Sequence, residues 1–347
     1  MDRRLKYGLS VALAIALVVA LMLYTGIDKI WTTLSQLNPV WFLPMIIVYA
    51  VDWLIRGLRW KIILKTCDID ITLQESTAHT LIGNTANLVV PAKLGDLARV
   101  YSIKKVHKCP VPVGLSSVFF DRIFDFIGVL IITITLFLMA PMVTFNNLPG
   151  WIMWVLYGAA GLMAAVLVLI ALVIKKPAMF KRLMLGPLKR FSGIFDKLQE
   201  SFRATVKKPS VLVLITSLSI VIWTMEALIT YLLAIGLNIH VPVWMIFFTI
   251  MIANLTKTLP LTPGGIAIYE GVFSALFYVF GYVTAVGTTL GVIDHLFKNI
   301  FTIAAGGLAA SWLGIRLTKI SGDQDIDKSE DGTGKQDKKQ PVKKDVK

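Results

Sequence analysis

Inside otherwise apolar stretches of this sequence stand Asp52, Arg56, Arg59, Asp96, Arg99, Asp121, Arg122, Asp125, Glu226, Lys257, Glu270, Asp294 and Lys298. An Asp, Lys or Arg at the centre of a membrane-crossing helix costs about 2.5–3.5 kcal/mol on insertion scales, so such residues mark either a polar site or internal ion pairs. Arg59 and Arg99 lie near segment ends and read as interfacial. Asp121, Asp125, Glu226 and Asp294 lie well inside theirs. A second kind of chemistry belongs to the backbone. Ala86-Asn87-Leu88 is followed by Pro91, Gly95, Asp96 and Arg99, and Ala253-Asn254-Leu255 by Pro260, Pro263, Gly264, Gly265 and Glu270. Prolines and glycines at these places release N–H and C=O groups that a helix would pair internally. Half-helix N-termini after Pro91 and Pro263 would turn positive dipole ends toward an anion. Gly264 and Gly265 would let a ligand approach the backbone closely.

The candidate binding set for a polar headgroup is therefore Asn87, Pro91, Gly95, Asp96, Arg99, Asp121, Arg122, Asn254, Pro263, Gly264, Gly265 and Glu270. Arg56, Asp125, Glu226, Asp294 and Lys298 are the supporting charges. Arg99 and Glu270 are the expected partners across the site, because each ends its own broken segment. No catalytic residue, metal ligand set or cofactor is expected, since Cys67 and Cys109 have no metal-ligand spacing to His79 or His107.

The elements that must position these residues follow from composition. Of 347 residues, 56% are hydrophobic and only 16% charged, against about 25% in a soluble domain. With a mean hydropathy of +0.72, the chain reads as an all-α polytopic membrane protein. Apolar segments cover Tyr7–Tyr24, Trp41–Leu64, 113–140, 151–174, 211–235 and 283–313, giving six full spans. Tyr7–Tyr24 lacks a small-x-small cleavage site, which predicts a retained helix rather than a signal peptide. Residues 78–100 and 243–280 are interrupted by their prolines and glycines. The net charge of +14 gathers in a few loops, above all 175–208 with ten Lys/Arg against two acids. Lys/Arg alternate correctly between sides only if both interrupted segments are re-entrant, entering from opposite faces. Both termini are then cytoplasmic, in an inner or plasma membrane. The domain reading is a membrane-embedded unit at 1–320 and a disordered cytoplasmic tail at 321–347.

The two broken segments resemble each other, and so do the spans that follow, Asp121–Ile127 and Asp294–Ile300. Opposite membrane entry makes this an inverted repeat, a design in which substrate sites lie at the midplane between broken helices. Apolar residues at helical spacing in 178–206 fit a surface helix on anionic lipid or a cytoplasmic helical hairpin. Small residues at Gly287, Gly291, Gly306 and Gly307 predict close helix packing.

Several classes are excluded. There is no G-x-x-x-x-G-K-[ST] motif for a P-loop ATPase. No soluble stretch exceeds about 34 residues, too short for a transferase domain. No basic stripe with interleaved aromatics suggests nucleic acid.

Asn84-Thr-Ala-Asn-Leu-Val-Val-Pro-Ala-Lys-Leu-Gly-Asp-Leu-Ala-Arg99, then Asp121-Arg122, then Leu259-Pro-Leu-Thr-Pro-Gly-Gly-Ile-Ala-Ile-Tyr-Glu270 resembles the transmembrane region of lysylphosphatidylglycerol synthase. The likeness covers about residues 5–317. That flippase-like region occurs in multiple-peptide-resistance proteins and in standalone membrane proteins. In two-domain members it is implicated in moving an aminoacylated lipid between leaflets, while a separate cytosolic domain makes that lipid. The resemblance implies translocation without synthase activity here. The expected function is movement of a lipid or lipid-linked headgroup through a charged midplane cavity. The alternatives are an integral membrane enzyme acting on a lipid phosphate and a scaffold for a separate transferase. Membrane lipids are the expected partners; a separately encoded lipid-modifying transferase and a homo-oligomer stay open.

Overall fold

The structure is a computed structural model that describes residues 26–89, 95–138, 206–257 and 262–315, with isolated residues between 19 and 23 and between 154 and 203. The segments Tyr7–Tyr24, 151–174 and 175–208 and the tail 321–347 lie wholly or largely outside the described residues, as does Pro91. The described elements are α1 (Ile27–Leu34), a 3-10 turn (Pro39–Trp41), α2 (Phe42–Lys65), α3 (Leu73–Val89), α4 (Gly95–His107), α5 (Val111–Leu138), α6 (Pro209–Gly236), α7 (Val243–Lys257), a second 3-10 turn (Pro263–Gly265), α8 (Ile268–Val279) and α9 (Thr284–Trp312). No strand occurs among the described residues.

Local sequence sets several of these boundaries. The Asn38 side chain accepts from the Val40 N–H at 3.1 Å, and Pro39 follows it, a start signal for the turn that leads into α2. Thr72 and Glu75 form a capping box at the head of α3: Glu75 N–H donates to Thr72 Oγ1 at 3.2 Å, and Thr72 N–H to Glu75 Oε2 at 2.8 Å. Pro209 opens α6, where its missing N–H costs nothing.

Helix length divides the elements into two classes. α2, α5, α6 and α9 have 24, 28, 28 and 29 residues, or about 36–43 Å at 1.5 Å per residue. That exceeds the roughly 30 Å hydrocarbon core of a bilayer. Among the described residues, Pro39–Lys65 and Pro209–Gly236 are both long and apolar enough to cross it. By contrast α3, α4, α7 and α8 have 17, 13, 15 and 12 residues, or about 18–26 Å.

The short helices form two antiparallel pairs. α4 returns along α3, since Asn87 meets Asp96, Gly83 meets Arg99, His79 meets Ser102 and Glu75 meets His107. Position rises on one helix as it falls on the other. A methyl group at Gly95 would collide with the Asn87 amide nitrogen, so only glycine allows this closeness. α8 returns along α7: the Phe280 ring lies 5.3 Å from Trp244 and 6.0 Å from Phe248, and the Tyr282 hydroxyl donates to the His240 carbonyl at 3.0 Å. The turn between them needs left-handed backbone at Gly264 (φ 64°), Gly265 (φ 78°) and Ala267 (φ 71°).

α2 and α6 lie antiparallel, joined where Asn38 N–H donates to the Gly236 carbonyl and again at Arg56–Glu226 and Arg59–Ser219. The α3–α4 pair departs from the Lys65 end of α2, and the α7–α8 pair from the opposite end, after Gly236. The second turn reaches the end of α3: a Cβ built on Gly264 would stand 3.8 Å from Leu88 Cδ2. α9 closes the bundle. Gly287 and Gly291 lie against Phe273 of α8, and Gly306 lies against Thr85 of α3, the close packing expected from their spacing. Gly307 has open space around it.

The polarity of the bundle is the reverse of a water-soluble protein's. Leu43, Ile47, Val213, Ile300 and Leu308 are exposed, whereas Asp52, Arg59, Arg99, Asp121 and Asp294 are buried. An apolar exterior suits lipid tails, and the charges face the interior of the bundle.

Candidate functional site

The buried charges join into two ion networks and one carboxylate–imidazole pair. In the first network Arg59 Nη2 bridges Asp121 Oδ1 (2.8 Å) and Asp125 Oδ1 (2.7 Å). Arg99 Nη1 donates to Asp121 Oδ2 at 2.7 Å, and Arg122 bridges Asp125 (3.0 Å) and Asp96 (3.2 Å). Three carboxylates thus meet three guanidinium groups contributed by α2, α4 and α5. Ser219 of α6 accepts from Arg59 Nη1 at 2.8 Å.

The second network links α2, α6 and α9. Arg56 donates to Asp52 Oδ2 at 2.6 Å and to Glu226 Oε1 at 2.7 Å. Lys298 Nζ lies 2.8 Å from Glu226 Oε2 and 3.0 Å from Asp294 Oδ2. Asp294 also accepts from the Tyr269 hydroxyl at 2.6 Å and from Thr230 at 2.7 Å. Arg56 lies within electrostatic range of Asp125, which brings the two networks together. Removing one member of a buried pair leaves an uncompensated charge, so such networks are stable only as sets.

The carboxylate–imidazole pair is Glu270 with His295: Glu270 Oε1 lies 2.7 Å from His295 Nδ1. The His295 ring also packs on Tyr269, centroids 4.7 Å apart.

These placements correct three expectations. Arg99 and Glu270 do not pair with each other; Asp121 lies nearer to Arg99 along α5, and His295 faces Glu270 from α9. Arg59 and Arg99 are not exposed at segment ends but buried inside the bundle, both against Asp121 of α5. The first turns of α4 and α8 already hold acids, Asp96 and Glu270. Each complements its positive helix end, a place the sequence had suggested for a foreign anion.

Of the remaining candidates, Asn87 donates to Asp96 Oδ1 at 3.1 Å across the first break. Asn254 instead donates to the Ile250 carbonyl one turn back on its own helix, at 2.9 Å. Gly95 makes the α3–α4 contact, and Pro263, Gly264 and Gly265 form the second turn. The Lys257 side chain lies outside the described residues. Several polar atoms in this region are buried with no hydrogen-bond partner among the described residues: Arg99 Nε and Nη2, Asn87 Oδ1, Asp52 Oδ1 and Glu270 Oε2. The Arg99 guanidinium also lies over the Trp60 ring at 3.8 Å, a cation–π contact that holds it in place.

Asp52, Arg59, Tyr269 and His295 belong to the site although they were not in the candidate set. Asp52 and Arg59 flank Arg56 at helical spacing on one segment, and His295 and Tyr269 adjoin Asp294 and Glu270 in sequence. That adjacency was the available signal. Among the described residues no cluster of three or more His, Cys, Asp or Glu could hold a metal ion.

Comparison with known proteins places this arrangement in context. The chain is 26% identical to a protein of Haloferax volcanii named Glycosyltransferase AglD, over 91% of this chain and 56% of that protein. It thus spans little more than half of that relative's length. It is 23% identical to a UPF0104 membrane protein of Methanothermobacter thermautotrophicus, over 88% of this chain and 94% of the relative. A UPF0104 membrane protein of Pyrococcus horikoshii is also 23% identical, over 88% and 96%. No solved structure matches the chain significantly. Residues 9–306 match the family described as Lysylphosphatidylglycerol synthase TM region, a match that contains both helix breaks and every buried charge above, and the chain is a membrane protein belonging to that family.

Proposed function

We propose that this chain moves a lipid, or a lipid-linked polar headgroup, between the leaflets of the cell membrane. The observation that carries this reading is a belt of buried charge beside the contact between two helix breaks. Asp96 follows the first break and joins the first network, while Glu270 follows the second and meets His295. Two short helix pairs that depart from opposite ends of α2–α6 suit re-entrant hairpins in an inverted repeat, with both termini cytoplasmic. Irregular backbone at membrane depth is tolerated only against protein or a water-filled cavity. A headgroup exchanging partners with the bridged charges would lose less hydration energy than one crossing bare hydrocarbon. Arg99, with two donor nitrogens unpartnered among the described residues, is the residue best placed to receive such a group. On this reading the chain is a transporter rather than an enzyme. Its partners are membrane lipids, and no cofactor takes part.

The test is reconstitution of the full chain in liposomes with headgroup-labelled phosphatidylglycerol. Wild-type protein should exchange the label between leaflets, and Arg99→Ala and Glu270→Ala should abolish exchange while eluting as folded protein. Undiminished exchange in both variants would overturn the assignment of the belt. A second reading, a membrane module serving a separate glycosyltransferase, is favoured by the name of the Haloferax relative and by the part of that protein this chain does not span. It predicts no exchange by the pure chain and co-purification of a transferase from native membranes.

A further inference from the structure

Among the described side chains of the belt, the carboxylates outnumber the fixed cations. Asp52, Asp96, Asp121, Asp125, Glu226, Glu270 and Asp294 face Arg56, Arg59, Arg99, Arg122 and Lys298. The first network balances, three against three. The surplus therefore sits in the second network and at Glu270. A buried carboxylate without a full set of donors or a counter-cation is costly, and taking up a proton relieves that cost. Among the described residues Glu270 has that deficit: Oε1 meets only the His295 ring nitrogen, and Oε2 is buried without a hydrogen-bond partner.

We infer that Glu270 and His295 form a proton-binding site, and that its loading is coupled to movement of the headgroup. The groups around the pair are Tyr269 on its own helix, Asp294 and Lys298 on α9, and Glu226 on α6 beyond Lys298. Lys257 is the only ionisable residue of α7, and its side chain lies outside the described residues. Loading one proton turns the Glu270 carboxylate beside the imidazole into a carboxyl, and the local charge rises by one.

The position of the pair makes that change consequential. Glu270 stands in the first turn of α8, three residues after Ala267 with its left-handed backbone and just beyond the Gly264 turn that touches Leu88. On the other side, a Cβ at Gly291 would lie 3.3 Å from Glu270 Cα, so α8 and α9 are in close contact there. The strength of the Glu270–His295 contact therefore bears on how the second helix pair sits against α9 and against the first pair. Chains of Asp, Glu and His within membrane segments serve as proton relays in pumps and transporters. Beyond the pair, Tyr269 packs on His295 and donates to Asp294, which Lys298 links to Glu226.

The coupling rests on the translocation reading; the proton site does not. Two measurements keep them apart. The first is infrared difference spectroscopy of the purified full chain through a pH titration, following the carboxyl C=O stretch. Wild type should show a buried carboxyl that Glu270→Gln lacks and that shifts in His295→Gln, which serves as the second variant should Glu270→Gln not fold. Identical spectra from wild type and a folded variant would overturn the proton site. The second is leaflet exchange of headgroup-labelled phosphatidylglycerol under an imposed pH gradient. One pH unit should bias the label's distribution with wild-type protein up to about tenfold per coupled proton. Wild-type exchange indifferent to the gradient would overturn the coupling and leave translocation standing. Absence of exchange in every sample would sink translocation and coupling together, with the infrared titration still deciding the proton site.

Discussion

Gly264 lies against Leu88, so the turn of the second short helix pair touches the last turn of α3 in the first. The two residues come from pairs that enter the bundle at opposite ends of α2–α6, and neither pair is as long as the helices around it. The acids that follow the two breaks, Asp96 and Glu270, extend the same region into the belt of buried charge.

Glycine serves the two breaks for different reasons, and substitution separates them. At Gly264 the backbone is left-handed, but the nearest atoms to a new Cβ are 3.8 Å away. Gly264→Ala should cost about 1 kcal/mol, from backbone conformation alone. At Gly95 a methyl would strike the backbone of Asn87 and Ala86, forcing α3 and α4 apart. Gly95→Ala should lower the thermal midpoint in detergent more, by about 1–3 kcal/mol of overpacking. A neutral Gly95→Ala would mean that α4 does not return along α3.

The second network should behave as a unit. Lys298→Met leaves Asp294 without its cation, while Glu226 keeps Arg56 at 2.7 Å. Breaking a buried pair in this way costs about 3–5 kcal/mol. Adding Asp294→Asn removes the stranded charge, so the double variant should be more stable than the sum of the single changes by about 0.5–3 kcal/mol. Denaturation midpoints of the four proteins test this, and strict additivity would show that the contact does not form.

Much of this was legible in the sequence, for identifiable reasons. Charges inside apolar runs are conspicuous, and Pro and Gly interrupt a helix wherever they fall. Both breaks and nearly all members of the belt could therefore be found without coordinates. Pairing was less legible. Arg99 and Glu270 share a position relative to their breaks, but which charge faces which depends on helix rotation and depth. Arg99 is turned toward α5 and Glu270 toward α9. His295 was hidden for a related reason, since a lone histidine inside a span gives no sign of its partner. Asn87 and Asn254 occupy matching places in the sequence but differ in use, because only Asn87 has an acid within reach across its break.

The two thiols should differ in reactivity. Cys67 is half-buried after α2, and Cys109 is buried between α4 and α5. Burial pushes the Cys109 thiol up to about 11. The thiolate is the reactive form, so at neutral pH Cys109 stays protonated and alkylates slowly, and its rate should climb as pH approaches that value. Maleimide labelling of folded protein followed by peptide mapping should find Cys67 modified first. Equal rates at neutral pH would contradict the burial of Cys109.

Orientation gives the last prediction, and it bears directly on how the two helix pairs enter the membrane. If the basic stretch 175–208 faces the cytoplasm, the turn between α6 and α7 faces outside, because α6 alone separates them. His240 is exposed in that turn, and its carbonyl already holds the Tyr282 hydroxyl, so replacing the side chain leaves the α7–α8 closure intact. His240→Cys should therefore react with a membrane-impermeant maleimide added to whole cells. Arg190→Cys should react only after the cells are opened. Both variants need Cys67 replaced by Ser, since that thiol belongs to the cytoplasmic side on the same reading. Labelling of position 190 in intact cells would invert the bundle. The α3–α4 pair would then lie toward the outside and the α7–α8 pair toward the cytoplasm.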